Sequence, residues 1–167
     1  MIKILLQPLL HLAFLIIRPL TIGVRGLCLD SKNNSILLVK HTYSDDWALP
    51  GGGVEVGEST EAALKRELKE EVGFICEEVS ILNLYHNKSI SKRDHVVIYI
   101  VNSWSEQKKH AQPKMEISNT KWFSLNNLPD NLTPCTYHTL EKYGLQTKDD
   151  FRGLSDNSDK TLSLIHI

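Results

Sequence analysis

The strongest local constraint in this chain is a capped helix of fixed length between two glycine signals. Gly51-Gly52-Gly53 precedes it and Gly73 follows it. Ser59 sits where an N-cap belongs, Ala62 and Ala63 favour helix, and Gly73 suits the left-handed residue that ends one. A helix is therefore expected over residues 60 to 72. On a wheel at 100° per residue with Glu67 at zero, Glu70 falls at about −60° and Glu71 at about +40°. Leu64, Leu68 and Val72 form an apolar stripe beside them, and Lys65 and Lys69 point away. Like charges spaced this way repel by a few tenths of a kcal/mol per pair. Glu70 and Glu71 also lie near the helix C-terminus, where the macrodipole disfavours anions. A solvated acidic surface is one reading of this face. A hard divalent cation held by oxygen ligands is the other.

Around this helix the chain alternates strand and turn signals. Thr21 to Leu29 and Ile36 to Tyr43 are rich in β-formers and flank the turn cluster Asp30-Ser31-Lys32-Asn33-Asn34, a pattern that predicts a hairpin. Glu78 to Asn87, His95 to Trp104 and Glu116 to Ser124 are expected strands. Leu125 to Pro129 is expected to form a short turn of helix, and Thr133 to Tyr143 a helix ending at Gly144. Strands around one internal helix, with another near the end, indicate an α+β or α/β/α layered fold. The expected organisation is an apolar N-terminal helix over 1–20, one domain over 21–145 and a polar tail over 146–167.

Composition narrows the partners. The net charge is −1, so no basic field exists to hold a duplex nucleic acid. Three cysteines, Cys28, Cys76 and Cys135, form neither a disulfide framework nor a zinc pattern, which fits a reducing cytoplasm. Ile2 to Ile17 is apolar but interrupted by Gln7, Pro8 and His11, and it is shorter than the ~20 residues of a spanning helix. It is expected to pack on the domain or in a homodimer. Peripheral membrane contact is the alternative.

Read from Gly52 to Phe74, GGVEVGESTEAALKRELKEEVGF resembles the Nudix box, G-x5-E-x7-R-E-U-x-E-E-x-G-U, with U a bulky apolar residue. Gly52, Glu58, Arg66, Glu67, Leu68, Glu70, Glu71, Gly73 and Phe74 fill its fixed positions. Trp47 to Gly52 and Trp122-Phe123-Ser124-Leu125 are also similar to the family. The resemblance implies an α/β fold, a Nudix-like α/β/α sandwich with a mixed sheet, and Mg²⁺-dependent hydrolysis of a nucleoside diphosphate derivative, with Mn²⁺ as a substitute. The substrate would be a small nucleotide: an ADP-ribose-like compound or a (d)NTP. Glu67, Glu70, Glu71 and the Gly52 carbonyl would surround the metal. Arg66 would orient the cluster and pair with Glu58 or Glu67. Glu67 is the leading general base and Glu116 the second, a plain rim carboxylate being the other reading of Glu116. A nucleotide-sensing protein that retains the fold is the competing functional class, and intact glutamates favour the enzyme.

Substrate choice is less legible. Where ADP-ribose hydrolases of the family often carry a proline, this chain has Ser89 and Ile90. Where dinucleoside-polyphosphate hydrolases carry a tyrosine, it has Ser91 and Lys92. Arg25 could meet a phosphate or form a structural pair. Trp47 and Tyr85 could stack on a base or pack beside the sheet. His41, His86, Lys88, Lys92, Arg93 and His95 give polar and basic character to the expected edges of the pocket.

Overall fold

The computed structural model describes residues 19–106 and 116–144. The apolar segment Ile2 to Ile17 and the C-terminal tail lie outside the described residues. The elements are β1 (Thr21–Asp30), β2 (Ser35–His41), β3 (Trp47–Ala48), α1 (Thr60–Val72), β4 (Phe74–His86), β5 (Asp94–Glu106), β6 (Ile117–Ser124) and α2 (Pro134–Lys142). The strand order is β3-β2-β1-β5-β4, with β6 also paired to β2.

The expected hairpin forms only at its tip. Asp30 accepts hydrogen bonds from the Lys32 and Asn33 backbone N–H groups, and Asn34 takes a left-handed φ of 49°. Those bonds close the turn, but only Leu29↔Ile36 and Asp30↔Ser35 pair across it. Beyond them the strands part. β1 runs parallel to β5 from Thr21↔Asp94 to Cys28↔Val101, whereas β2 runs antiparallel to β6. A β-branched strand such as Val96-Val97-Ile98 suits a central position covered on both faces. It therefore lies inside the sheet, pairing with β4 on one side and β1 on the other.

Strand alternation divides the core into two layers. Leu27, Ile36, Leu38, Ile98 and Ile100 pack with Leu140 on the α2 side. Val24, Cys28, Leu37, Tyr99 and Val101 pack with Leu64 and Leu68 of α1 on the other. The result is the mixed sheet between helices that the sequence resemblance implies. All three cysteines are buried free thiols, and burial raises the pKa of each, to about 11 for Cys76 and Cys135. Among the described residues, no helix is long and apolar enough to cross a membrane.

Two boundaries differ from expectation. β4 starts at Phe74, directly after the helix cap, because its first residues pair with Glu106 and Ser105 at the far end of β5. Leu125 to Pro129 is not helical. Asn127 N–H bonds to the Ser124 carbonyl in a turn that ends β6, and Leu125 plugs the α2-side core. Burying Leu125 fixes a turn where local propensity also permits helix.

Gly26 sets how closely α1 approaches the sheet. A Cβ there would lie 3.2 Å from Leu68 Cδ1, 3.3 Å from Leu64 Cδ1 and 3.3 Å from a Val101 methyl. Gly26→Val overpacks this contact and is expected to destabilise the protein by roughly 1–3 kcal/mol. A lowered denaturation midpoint with an unchanged slope checks this.

Candidate active site

Helix α1 has the predicted bounds because its caps are local. Ser59 Oγ accepts from Ala62 N–H at 3.1 Å, and Gly73, at φ 72°, donates its N–H to the Leu68 carbonyl. Helical spacing then turns Glu67 and Glu71 inward with Ala63, Leu64 and Leu68. Glu67 is 5% exposed and Glu71 4%. Burying carboxylates costs several kcal/mol each unless bonds and charges compensate.

The Gly51–Gly53 loop supplies part of that compensation. Gly51 N–H donates to Glu71 Oε2 at 2.7 Å. Gly51 has φ 134°, and a Cβ on it would collide with the Val24 carbonyl, so only glycine fits there. A Cβ on Gly52 would sit 2.5 Å from Glu67 Oε1, in the space the carboxylate occupies. The loop is held against β1 by Gly26 N–H to the Pro50 carbonyl and Val24 N–H to the Gly52 carbonyl, both at 2.8 Å. The Gly52 carbonyl therefore spends one lone pair on the sheet and keeps one.

Arg66 gathers the acidic groups. Its Nε and Nη2 form a two-pronged contact with Glu58, each bond 3.0 Å, and its Nη1 donates to Glu67 Oε1 at 2.7 Å. Nη2 also donates to the Gly53 carbonyl at 3.1 Å, and Nη1 lies 3.6 Å from Glu70 Oε2. Arg66 thus pairs with both Glu58 and Glu67. The bonds to Glu58 lead in holding the guanidinium charged, and those from Arg66 push the Glu58 pKa below its usual value.

Three carboxylates, Glu58, Glu67 and Glu70, meet this guanidinium, and Glu71, on the same helix as Glu67 and Glu70, accepts from the Gly51 N–H. Among the described residues no three acidic, histidine or cysteine side chains are grouped closely enough to hold a metal ion by themselves. The donor chemistry nevertheless suits a hard cation. Every candidate ligand is oxygen, two of the carboxylates are buried, and Gly52 leaves room for the Glu67 carboxylate beside the backbone. Glu67, Glu70, Glu71 and the Gly52 carbonyl are the groups that could hold it.

The remaining candidates divide between the two faces. Arg25 donates to the Leu49 and Gly51 carbonyls and braces the glycine loop. Trp47 packs edge-on to Phe123 at 4.7 Å, and Tyr85 lies 6.0 Å from the His138 ring; both border the α2-side core. Glu116 is exposed just before β6, and its carbonyl accepts from Thr42 N–H at 2.8 Å. Its charge and that of Glu67 both act on the His41 ring. That ring is buried, a property no single-strand pattern shows.

A mixed sheet between helices, with a glycine loop and an acidic helix at one end, defines a protein class. A family model described as the NUDIX domain matches residues 19–143, and the chain belongs to that family. It is 38% identical over 103 residues to an ADP-ribose pyrophosphatase of Methanocaldococcus jannaschii, a match covering 59% of each chain. It is 30% identical over 131 residues to an RNA pyrophosphohydrolase of Cellvibrio japonicus, covering 78% of this chain and 69% of that one. The MutT NUDIX hydrolase from Burkholderia pseudomallei superposes with a TM-score of 0.62 at 27% identity, over 72% of this chain and 95% of that one. The chain thus spans less than two thirds of the archaeal relative it matches.

Gly52→Ala should displace the Glu67 carboxylate without unfolding the protein. The expected result is at least a tenfold loss of Mn²⁺ affinity with a near-native circular dichroism spectrum, measured by titration calorimetry and melting. Unaltered affinity would show that the packing of Gly52 on Glu67 is irrelevant to metal binding.

Proposed function

We propose that this protein is a Mg²⁺-dependent hydrolase that cleaves the diphosphate linkage of a nucleoside diphosphate derivative, an ADP-ribose-like compound or a (d)NTP, with Mn²⁺ able to substitute. The observation that carries the reading is the burial of Glu67 and Glu71 against the Gly51–Gly52 backbone, with Arg66 as the guanidinium facing the cluster. Such an anionic cluster is unfavourable in isolation and suits a cation that a diphosphate can also bind. Relatives named ADP-ribose pyrophosphatase and RNA pyrophosphohydrolase support the reaction class and leave the substrate open.

When bound, the metal would neutralise phosphate charge and lower the pKa of a water. The chain's own residues do the rest. Glu67 is the leading acceptor for the proton of the attacking water, already oriented by the Arg66 contact. Glu116 is the second candidate. Glu70 and Glu71 add negative charge for the cation, and the two-pronged Glu58–Arg66 contact holds the guanidinium against the helix.

A phosphate-release screen over ADP-ribose, dinucleoside polyphosphates, nucleotide sugars and (d)NTPs, with Mg²⁺ or Mn²⁺, tests the reading. Glu67→Gln and Glu71→Gln should each lower turnover by about 10²–10⁴-fold, the range for a lost acid–base or charge-stabilising group. Their melting temperatures should stay near that of the wild type. Wild-type turnover of none of these compounds would transfer weight to a nucleotide-sensing role.

A further inference from the structure

His41 ends β2 and is 8% exposed, yet among the described residues neither its Nδ1 nor its Nε2 has a hydrogen-bond partner. Buried polar groups are nearly always paired, and an unmade bond at such a group is costly. Polar groups around it are engaged elsewhere. Ser118 Oγ donates to the Lys40 and His41 carbonyls, and Thr42 N–H donates to the Glu116 carbonyl. The ring lies beside polar chemistry and remains unsatisfied, the condition expected of a side chain that waits for a ligand.

Its position indicates which ligand. Leu37 faces α1 in the same core layer as Leu64 and Leu68, and strand alternation carries that face along β2 toward His41. β2 shifts register against β6 between Lys40 and His41, an irregularity in the ladder at the ring's own position. Thr42, the next residue, donates its N–H to the Glu116 carbonyl, and Arg25, which bonds the Gly51 carbonyl of the glycine loop, is among the charged groups that act on the ring. Tyr43 stacks on it with centroids 5.0 Å apart and planes 17° apart, and is itself 73% exposed. Tyr43 therefore covers one face of the buried His41 ring from the solvent side. An imidazole carries at least one N–H donor in either protonation state. The ligand must bring an acceptor oxygen into a site already rich in carboxylates, and a phosphate that arrives with a metal does so.

We infer that His41 contacts the substrate, its ring N–H donating to a non-bridging phosphate oxygen of the bound diphosphate while Tyr43 fixes the ring plane. This rests on the diphosphate-hydrolase reading and adds a phosphate contact outside the glycine loop and acidic helix.

The test compares wild type, His41→Phe and His41→Gln in the full chain. Phe keeps a ring against Tyr43 and removes both nitrogens; Gln restores one N–H donor. The probes are methylenediphosphonate and α,β-methylene-ADP, titrated by calorimetry with Mg²⁺ present, together with melting of the free protein and Mn²⁺ binding without probe. The expected outcome for His41→Phe is a melting temperature at or above the wild-type value, unchanged Mn²⁺ affinity and at least a tenfold weaker Kd for α,β-methylene-ADP. His41→Gln should recover part of that affinity. Equal Kd in wild type and His41→Phe overturns the assignment of His41 alone. A lower melting temperature for His41→Phe also overturns it, since the ring would then have a partner in the free protein. Wild-type binding of neither probe would remove the diphosphate reading itself, and this assignment with it.

Discussion

The site depends on one contact, the carboxylates of Glu67 and Glu71 pressed against the backbone of Gly51 and Gly52. Each side of that contact is unfavourable alone. Helix α1 gains nothing from turning two anions inward, and the loop gains nothing from a conformation that excludes every side chain at Gly51. Together they are mutually satisfying: a backbone N–H meets one carboxylate, and a missing Cβ admits the other. Arg66 then joins the helix, through Glu67 and Glu70, to Glu58 and Gly53 of the preceding loop. Loop and helix form one unit.

The remainder of the fold positions that unit. Gly26 lets α1 lie directly on β1, so that the loop clipped to Val24 and Gly26 meets the inward face of the helix. β1 is paired along one edge with β5 and covered on its two faces by the two core layers, which fixes the strand against which loop and helix both pack. β6, reached only after the chain has built β4 and β5, brings Glu116 back beside the end of β2. Residues distant in sequence thus meet at one end of the sheet.

Legibility in sequence followed the range of each interaction. Caps act within a few residues, so the bounds of α1 were readable from Ser59 and Gly73. The common face of Glu67, Glu70 and Glu71 followed from helical period, but a wheel gives direction and not what lies opposite. That came only as an implication of the resemblance of Gly52 to Phe74 to the Nudix box. The partners of β1 and β2 were not readable, because a turn at Asp30–Asn34 suits a full hairpin and a splayed one equally. The start of β4 at Phe74 and the turn at Leu125 were set by strand pairing and core burial, which local propensity does not encode. His41 was only one of several polar residues at an expected edge, since its burial arises from β6 and from a register shift.

On our proposal the buried carboxylates are a divalent-cation site supported by the glycine loop. Mn²⁺ titration of the full wild-type chain without nucleotide, followed by electron paramagnetic resonance of the free ion, tests it most directly. Saturable binding that Mg²⁺ displaces is expected, with a melting temperature that rises as the site fills. Free Mn²⁺ signal that follows added metal linearly, with no change in melting, would contradict it.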